Sequence, residues 1–220
     1  MDAQRLTYGR PASCISVLAH VSGITAMVLM LVWLLHYRQG FDLDSHNPAR
    51  IFNVHPFLMF FGFIFMAGEG MMAYKTLSAA HQAQKLFHMM LHLTAICLGI
   101  VGLHATFKYH DKMNLNDMNS LHSWIGITTF CLFILQFFFG FVTFLFPGAR
   151  HDMKERIRPF HASFGRVLLY MAICTAETGL MQKATFLQLE SNHENSLINF
   201  TAIAVLLFGI FVDLSVSLAM

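Results

Sequence analysis

Six runs of about 20 mostly apolar residues, separated by short polar stretches, constrain this chain more than any other feature of its sequence. Each run is long enough to cross the roughly 30 Å hydrocarbon core of a bilayer as an α-helix. A helix satisfies its backbone hydrogen bonds internally, as hydrocarbon requires. The sequence therefore predicts an all-α membrane protein with six transmembrane helices. The runs are approximately 13–36, 52–74, 86–107, 121–146, 160–182 and 196–219.

The composition agrees with this prediction. Only 12% of the residues are charged, against about 25% in a typical soluble domain. The net charge is +2 and the basic residues are scattered, so the partner is a lipid membrane and no nucleic-acid partner is predicted. The loops are short, which predicts antiparallel neighbouring helices and a single domain over residues 1–220. Each cysteine lies in an apolar run and is predicted to be a buried thiol: Cys14, Cys97, Cys131 and Cys174.

The distribution of Lys and Arg predicts the orientation, because cytosolic loops carry an excess of these residues. A cytosolic N-terminus places eight of them on the cytosolic side and five on the opposite side, leaving out Arg166 inside the fifth run. The cytosolic group is Arg5, Arg10, Lys75, Lys85, Arg150, Lys154, Arg156 and Arg158, and the opposite group is Arg38, Arg50, Lys108, Lys112 and Lys183.

Four histidines lie just inside four consecutive apolar runs. His55 and His122 open the second and fourth runs at the non-cytosolic face. His88 and His161 open the third and fifth runs at the cytosolic face. Polar side chains inside a bilayer are costly and need partners. The repeated placement therefore indicates one ligand position on each of the four central helices, with one pair near each membrane surface.

A pair of neutral imidazoles can fill both axial positions of a haem iron, which favours electron transfer over oxygen chemistry. The sequence thus predicts two haems per chain, one held by each histidine pair. Gly126 and Gly165 each follow a ligand by four residues and so share its helix face, where a missing side chain makes room for a flat macrocycle. Gly62 and Gly99 are further candidates. Close helix packing is the alternative for each glycine.

Other interpretations of the histidines remain open at this stage. A haem-free structural protein would hydrogen-bond each histidine to a neighbouring helix. A transporter of protons or divalent metals would be expected to show broken helices near the midplane. No nucleophile or carboxylate pair indicates bond-breaking catalysis, so no catalytic residue is predicted. His20 and His92 are predicted to be core residues that bond to neighbours.

The segments around the four histidines resemble the cytochrome b561 family, specifically its plant-like, ascorbate-dependent members. The resemblance covers nearly the whole chain. It implies six transmembrane helices, two b haems in the central four, the pairs His55–His122 and His88–His161, and a homodimer. The segments that carry the resemblance are FNVHPFLM, KLFHMMLH, NSLHSWIG and RPFHASFG.

The resemblance also implies an ascorbate site at the cytosolic face. Lys85 matches an ascorbate-binding lysine, and Lys154 matches a position that often carries Arg. Lys75 matches a basic residue near a haem propionate. His81 stands where the family has a second cation, a departure that bears on ascorbate affinity. Positive-inside topology and contact with lipid headgroups are the alternative explanation for these cations.

On the other face, the resemblance assigns binding of the electron acceptor to His110, with the aromatic Tyr109 beside it. Four residues match a family segment that contacts the non-cytosolic haem; they are Asp117, Met118, Asn119 and Ser120. The alternative for this segment is an N-terminal helix cap formed by Asn119 or Ser120.

Together these features predict an ascorbate-dependent transmembrane oxidoreductase. Electrons would pass from cytosolic ascorbate through the two haems to monodehydroascorbate or a ferric chelate on the opposite face. The resemblance implies a vacuolar or other endomembrane, with the plasma membrane as the alternative.

Overall fold

The computed structural model describes residues 11–145, 149–190 and 192–218, and these contain helices and no strand. Six long helices follow one another along the chain, which confirms the predicted all-α membrane fold. Arg5 and Arg10, which entered the orientation count, lie outside the described residues. The helices are α1 (Pro11–Val32, continued by a π-helical turn Trp33–Tyr37), α2 (Pro48–Thr76), α3 (His81–Met113), α4 (Leu121–Leu145), α5 (His151–Phe186) and α6 (His193–Ser217).

All of these helices except α5 are long and apolar enough to cross a membrane by length and composition. The α5 helix has 36 residues and begins with the polar stretch HDMKER, which extends it beyond the predicted apolar run 160–182. The chain is therefore a multi-pass membrane protein.

The helices form a central bundle of α2 to α5 with an outer pair. The α1 helix packs mainly along α6, while α2 packs on α3 and α4 packs on α5. Three buried phenylalanines fill the centre of the bundle. The ring centroid of Phe63 lies 5.3 Å from that of Phe130 and 4.8 Å from that of Phe133. The middle of the bundle is thus closely packed with aromatic side chains.

Helix starts are fixed by local chemistry. The Asn47 side chain accepts a hydrogen bond from the Ala49 N–H at 3.0 Å, and Pro48 occupies the first turn, where a missing N–H costs nothing. The Ser120 hydroxyl accepts from the Ser123 N–H at 3.2 Å. The alternative of a helix cap at Ser120 is therefore confirmed, and this cap sets the position of His122 two residues later.

The prediction that the cysteines are buried is wrong. The thiols of Cys14, Cys97, Cys131 and Cys174 are all exposed on the helix surfaces. In a membrane this exposure is to hydrocarbon, which solvates a weakly polar thiol as readily as a protein core does. Apolar character therefore does not distinguish the lipid-facing side of a helix from its core-facing side.

Candidate functional site

At the end predicted to be non-cytosolic, here called the non-cytosolic end, α2 and α4 bring the rings of His55 and His122 together. Their ring centroids are 6.1 Å apart and their planes are almost perpendicular. His55 Nδ1 donates to the Gly102 carbonyl at 3.1 Å, and His122 Nδ1 donates to the Thr175 carbonyl at 2.9 Å. Because Nδ1 carries the proton in both rings, each Nε2 keeps a lone pair for a metal.

At the end predicted to be cytosolic, here called the cytosolic end, α3 and α5 bring together His88 and His161, with ring centroids 6.3 Å apart. His88 Nδ1 donates to the Gly70 carbonyl at 2.8 Å. The amide nitrogen of Gln136 lies 3.0 Å from His161 Nδ1 and donates to the His161 carbonyl at 2.8 Å. Sequence reasoning missed Gln136, since a lone glutamine in an apolar run carries no pattern of its own.

Both pairs fit axial ligation of one iron each. A metal–imidazole bond is about 2.0–2.1 Å, and a ring nitrogen lies about 1 Å from its centroid, so imidazoles on opposite sides of one ion have centroids roughly 6 Å apart. In the described ranges, no group of three or more His, Cys, Asp or Glu could hold a metal ion on its own. A site with two protein ligands suits an ion whose other positions are filled by a porphyrin.

Glycines stand against the ligand rings. A Cβ at Gly179 would lie 2.6 Å from the His122 ring, and one at Gly140 would lie 2.7 Å from the His161 ring. Any larger residue at either position would displace the imidazole. No sequence signal separated these two glycines from the rest.

Two of the four glycines that the sequence favoured pack against side chains of a neighbouring helix. Gly62 packs against Leu98 and Gly99 packs against Phe130. The helix-packing alternative therefore holds for these two positions. Gly126 lies beside Thr175 on α5. A Cβ added at Gly126 would lie 3.1 Å from the methyl group of Thr175. Gly165 has open space beside it and lines a cavity at the cytosolic end.

That cytosolic cavity, between α2, α3, α4 and α5, has a volume of about 1570 Å³. It exceeds the roughly 300–1,000 Å³ of a typical small-molecule site, so it has room for a large cofactor and a small substrate together. Every cytosolic residue that the sequence predicted as a haem or ascorbate ligand lines it: Lys75, His81, Lys85, His88, Lys154 and His161. Tyr74 and Arg158, which also line it, were not predicted as site residues.

Among the described residues, the cations of this cavity have no acidic partner. In the described residues, Lys75 Nζ is buried without any hydrogen-bond partner, and Lys85 Nζ reaches only the Phe144 carbonyl, at 3.3 Å. Glu155 is the one acid among the lining residues, and it lies 3.8 Å from His151 on its own helix. A buried cation without a counter-ion is costly, so the cavity suits anionic groups.

The two ligand-bearing helices line this cavity with the same residue spacing. Each places a basic or imidazole side chain seven residues before its ligand and a cation three residues before it, which puts all three on one helix face. The two stripes are His81, Lys85 and His88 on α3 and Lys154, Arg158 and His161 on α5.

The non-cytosolic surroundings differ, because several of the cationic or imidazole groups there meet a carboxylate. His110 Nδ1 lies 2.7 Å from the Asp117 carboxylate. The Lys108 ammonium donates to Asp44 at 2.9 Å, and this hydrogen bond holds the pKa of the Asp44 carboxyl below its usual range. Arg38 is paired with Glu194.

Of the remaining predicted residues of this end, Tyr109 is linked to His55 through the ring of Phe52. The Tyr109 ring is 5.1 Å from Phe52, whose own ring is 6.0 Å from that of His55. Met118 adopts a left-handed backbone conformation with φ of 54° in the turn before α4, and Asn119 is exposed beside it.

Other polar groups within the helices also find partners. His92 Nδ1 donates to the His88 carbonyl at 2.8 Å, and its ring stacks on Phe133. His20 lies 2.8 Å from the Glu69 carboxylate. Both histidines therefore bond to neighbours, in agreement with the sequence interpretation.

The fold and the two facing histidine pairs define a class of multi-pass helical membrane proteins with paired imidazoles near both membrane surfaces. The family profile described as eukaryotic cytochrome b561 matches residues 54–187. The chain belongs to this family, so its cofactor is b-type haem.

Relatives cover most of the chain. The probable ascorbate-specific transmembrane electron transporter 1 of Oryza sativa subsp. japonica is 40% identical over 206 residues, 91% of this chain and 88% of the relative. Transmembrane ascorbate ferrireductase 1 of Arabidopsis thaliana is 39% identical, over 94% of this chain and 88% of its own length. The transmembrane ascorbate-dependent reductase of Ovis aries is 38% identical, over 74% and 64%.

Proposed function

We propose that this chain carries electrons from cytosolic ascorbate, through two b haems, to monodehydroascorbate or a ferric chelate on the opposite side of the membrane. One observation carries the proposal: two pairs of facing imidazoles, at 6.1 Å and 6.3 Å, lie at opposite ends of the same helix bundle. The names of the relatives, which denote ascorbate-specific electron transporters and ferrireductases, agree with it.

When bound, each haem supplies a reversible one-electron carrier whose potential depends on its axial ligands and on their hydrogen bonds. His55 and His122 would hold one haem, and His88 and His161 the other. The carbonyls of Gly102, Thr175 and Gly70 orient three of these rings by accepting from Nδ1. Asp117, Met118, Asn119 and Ser120 would form the turn that borders the non-cytosolic haem.

The donor site is proposed in the cytosolic cavity. Ascorbate is a monoanion, and the cavity offers cations with no acidic partner. Lys85 and Lys154 would bind the substrate, with His81 at the mouth, while the buried ammonium of Lys75 would meet a haem propionate. Charge-assisted hydrogen bonds of this type are about twice as strong as neutral ones.

The exit site is proposed beside Tyr109 and His110. If the cytosol is electrically negative, outward movement of one electron is favoured by about 2.3 kcal/mol per 100 mV. The packed phenylalanines at the bundle centre count against the transporter alternative, because they place apolar rings between the two ends. The middle of α2 is also helical, as the π-helical stretch Leu58–Phe65, so α2 does not show the broken helix that is expected of a transporter.

The proposal includes an assembly and a location. Residues 1–220 would form one domain, two chains would form a homodimer, and the protein would lie in a vacuolar or other endomembrane. Family resemblance supports these statements.

The proposed function is tested by placing the purified protein in vesicles loaded with ascorbate and measuring electron transfer to an acceptor outside. We expect reduction of ferricyanide added outside the vesicles, and no reduction when ascorbate is left out. His88→Ala should abolish this reduction. His20→Ala is the matched control, because His20 is also an intramembrane histidine but bonds to Glu69 and belongs to neither pair. Transport of protons or divalent metal ions without reduction of ferricyanide would reject the proposal.

A further inference from the structure

Lys183, near the outer end of α5, lies beside the non-cytosolic histidine pair. Its ammonium group is 4.0 Å from the centroid of the Phe52 ring. The Phe52 ring contacts those of Tyr109 and His55, with centroids 5.1 Å and 6.0 Å away. A single aromatic ring therefore separates this cation from a proposed haem ligand and from the proposed exit site.

The spacing along α5 places Lys183 at the outer rim of the same site. Thr175 accepts the hydrogen bond from His122, and Gly179, four residues later, packs against the His122 ring. Lys183 follows after another four residues and so lies on the same helix face. Four residues of helix rise about 6 Å, so Lys183 stands roughly one turn closer to the non-cytosolic surface than the glycine that touches the ligand.

Lys183 has no counter-ion within the part of the chain that the structure describes. The nearby carboxylate of Glu194 is already engaged, because it accepts from Arg38 Nε at 2.6 Å and from Trp33 Nε1 at 2.8 Å. Lys183 forms neither an ion pair nor a hydrogen bond with the described residues. The positive charge of Arg38 acts on Lys183 more strongly than the negative charge of Glu194 does. A half-buried cation close to another cation favours binding of an anion.

We infer that Lys183 is an anion-binding residue of the electron exit site and holds a carboxylate or enolate at the outer rim of the non-cytosolic histidine pair. The inference rests on the proposed function. Two sources offer this chemistry, a propionate of the haem and an anionic electron acceptor. A purely structural lysine would instead contribute only its cation–π contact with Phe52 and the packing of its stem.

Lys183→Met and Lys183→Arg distinguish charge from packing, since methionine keeps an apolar stem and arginine keeps the charge. Lys112→Met is the matched control, because Lys112 is a cation on the same membrane face that bonds to the Ser45 carbonyl. Each variant is placed in ascorbate-loaded vesicles with external ferricyanide, an anion, or hexaammineruthenium(III), a cation. Haem midpoint potentials are measured by optical redox titration of the purified proteins, and the non-cytosolic wave is the one that persists in His88→Ala.

If the anion is the acceptor, Lys183→Met raises the KM for ferricyanide about tenfold, as expected for loss of a hydrogen bond between charged groups. The KM for hexaammineruthenium does not rise, and the potentials stay unchanged. If the anion is a propionate, the non-cytosolic midpoint potential falls, because an uncompensated negative charge favours the oxidised haem. In either case Lys183→Arg stays near wild type, and both results support the inference.

Wild-type KM and potential in Lys183→Met would overturn the inference, and so would equal changes in the methionine and arginine variants. Such a failure leaves ascorbate-driven reduction by the wild-type protein intact. Failure of the proposed function, by contrast, appears as the absence of that reduction in the wild type.

Discussion

The two ends of the bundle hold the same imidazole geometry in opposite electrostatic surroundings. At the cytosolic end, cations with no acidic partner among the described residues line a cavity of about 1570 Å³. At the non-cytosolic end, Lys108, Arg38 and His110 each meet a carboxylate. The similar ring spacing supports the proposal of one haem at each end, and the difference in charge supports the proposal that the anionic donor binds at the cytosolic end.

Alanine substitutions of the two glycines beside the ligand rings should have the largest effect, and each should affect the haem at one end of the bundle only. Gly140→Ala places a methyl group 2.7 Å from the His161 ring, and Gly179→Ala places one 2.6 Å from the His122 ring. Each should lower the haem content by about half, the first through the cytosolic haem and the second through the other. Haem per polypeptide is measured by the pyridine haemochrome assay.

Gly209→Ala is the control for general damage to packing. Its added methyl would lie 2.9 Å from Ile173, between α5 and α6 and away from both histidine pairs. We expect reduced thermal stability with full haem content. Loss of haem from this variant equal to that from Gly140→Ala would contradict the local explanation.

Removing the cavity cations should have the next largest effect. Lys85→Met and Lys154→Met should each raise the KM for ascorbate about tenfold, because a charge-assisted hydrogen bond is lost from the substrate. Haem content should stay at two per chain. Steady-state ferricyanide reduction at varied ascorbate concentration gives the KM, and the increase should shrink at high salt, where charges are screened.

Lys108→Met is the matched control from the opposite end, since Lys108 pairs with Asp44 outside the cavity. Its KM for ascorbate should equal that of the wild type. An equal increase in Lys108→Met and Lys85→Met would contradict the assignment of donor binding to the cytosolic end.

The Asp44–Lys108 pair should give the smallest effect. The folded-state pKa of Asp44 lies below its unfolded value of about 3.9. The pair therefore stabilises the fold fully above that pH, and this contribution is lost as the pH falls through the folded-state pKa. Asp44→Asn should lower the melting temperature slightly at pH 7, and the difference from wild type should vanish in strong acid. A difference that grows below pH 4 would contradict this reasoning.

The sequence predicted the helices and the site residues for different reasons. Hydrophobic run length predicted all six helices, and five of them are long and apolar enough to cross a membrane. The sixth, α5, is longer than its predicted run because its polar start continues the helix. The repeated position of the four histidines predicted the two pairs. Gln136, Gly140, Gly179 and Lys183 were missed, because their roles depend on which residue of a neighbouring helix they face. The lipid-exposed cysteines were misassigned because hydrocarbon and protein core are both apolar.

The most direct test of the central claim is the haem content and optical redox titration of the wild type and four histidine variants. We expect two b haems per wild-type chain. His55→Ala and His122→Ala should lose the same redox wave, and His88→Ala and His161→Ala should lose the other. A single haem per chain, or loss of different waves within one pair, would contradict the account.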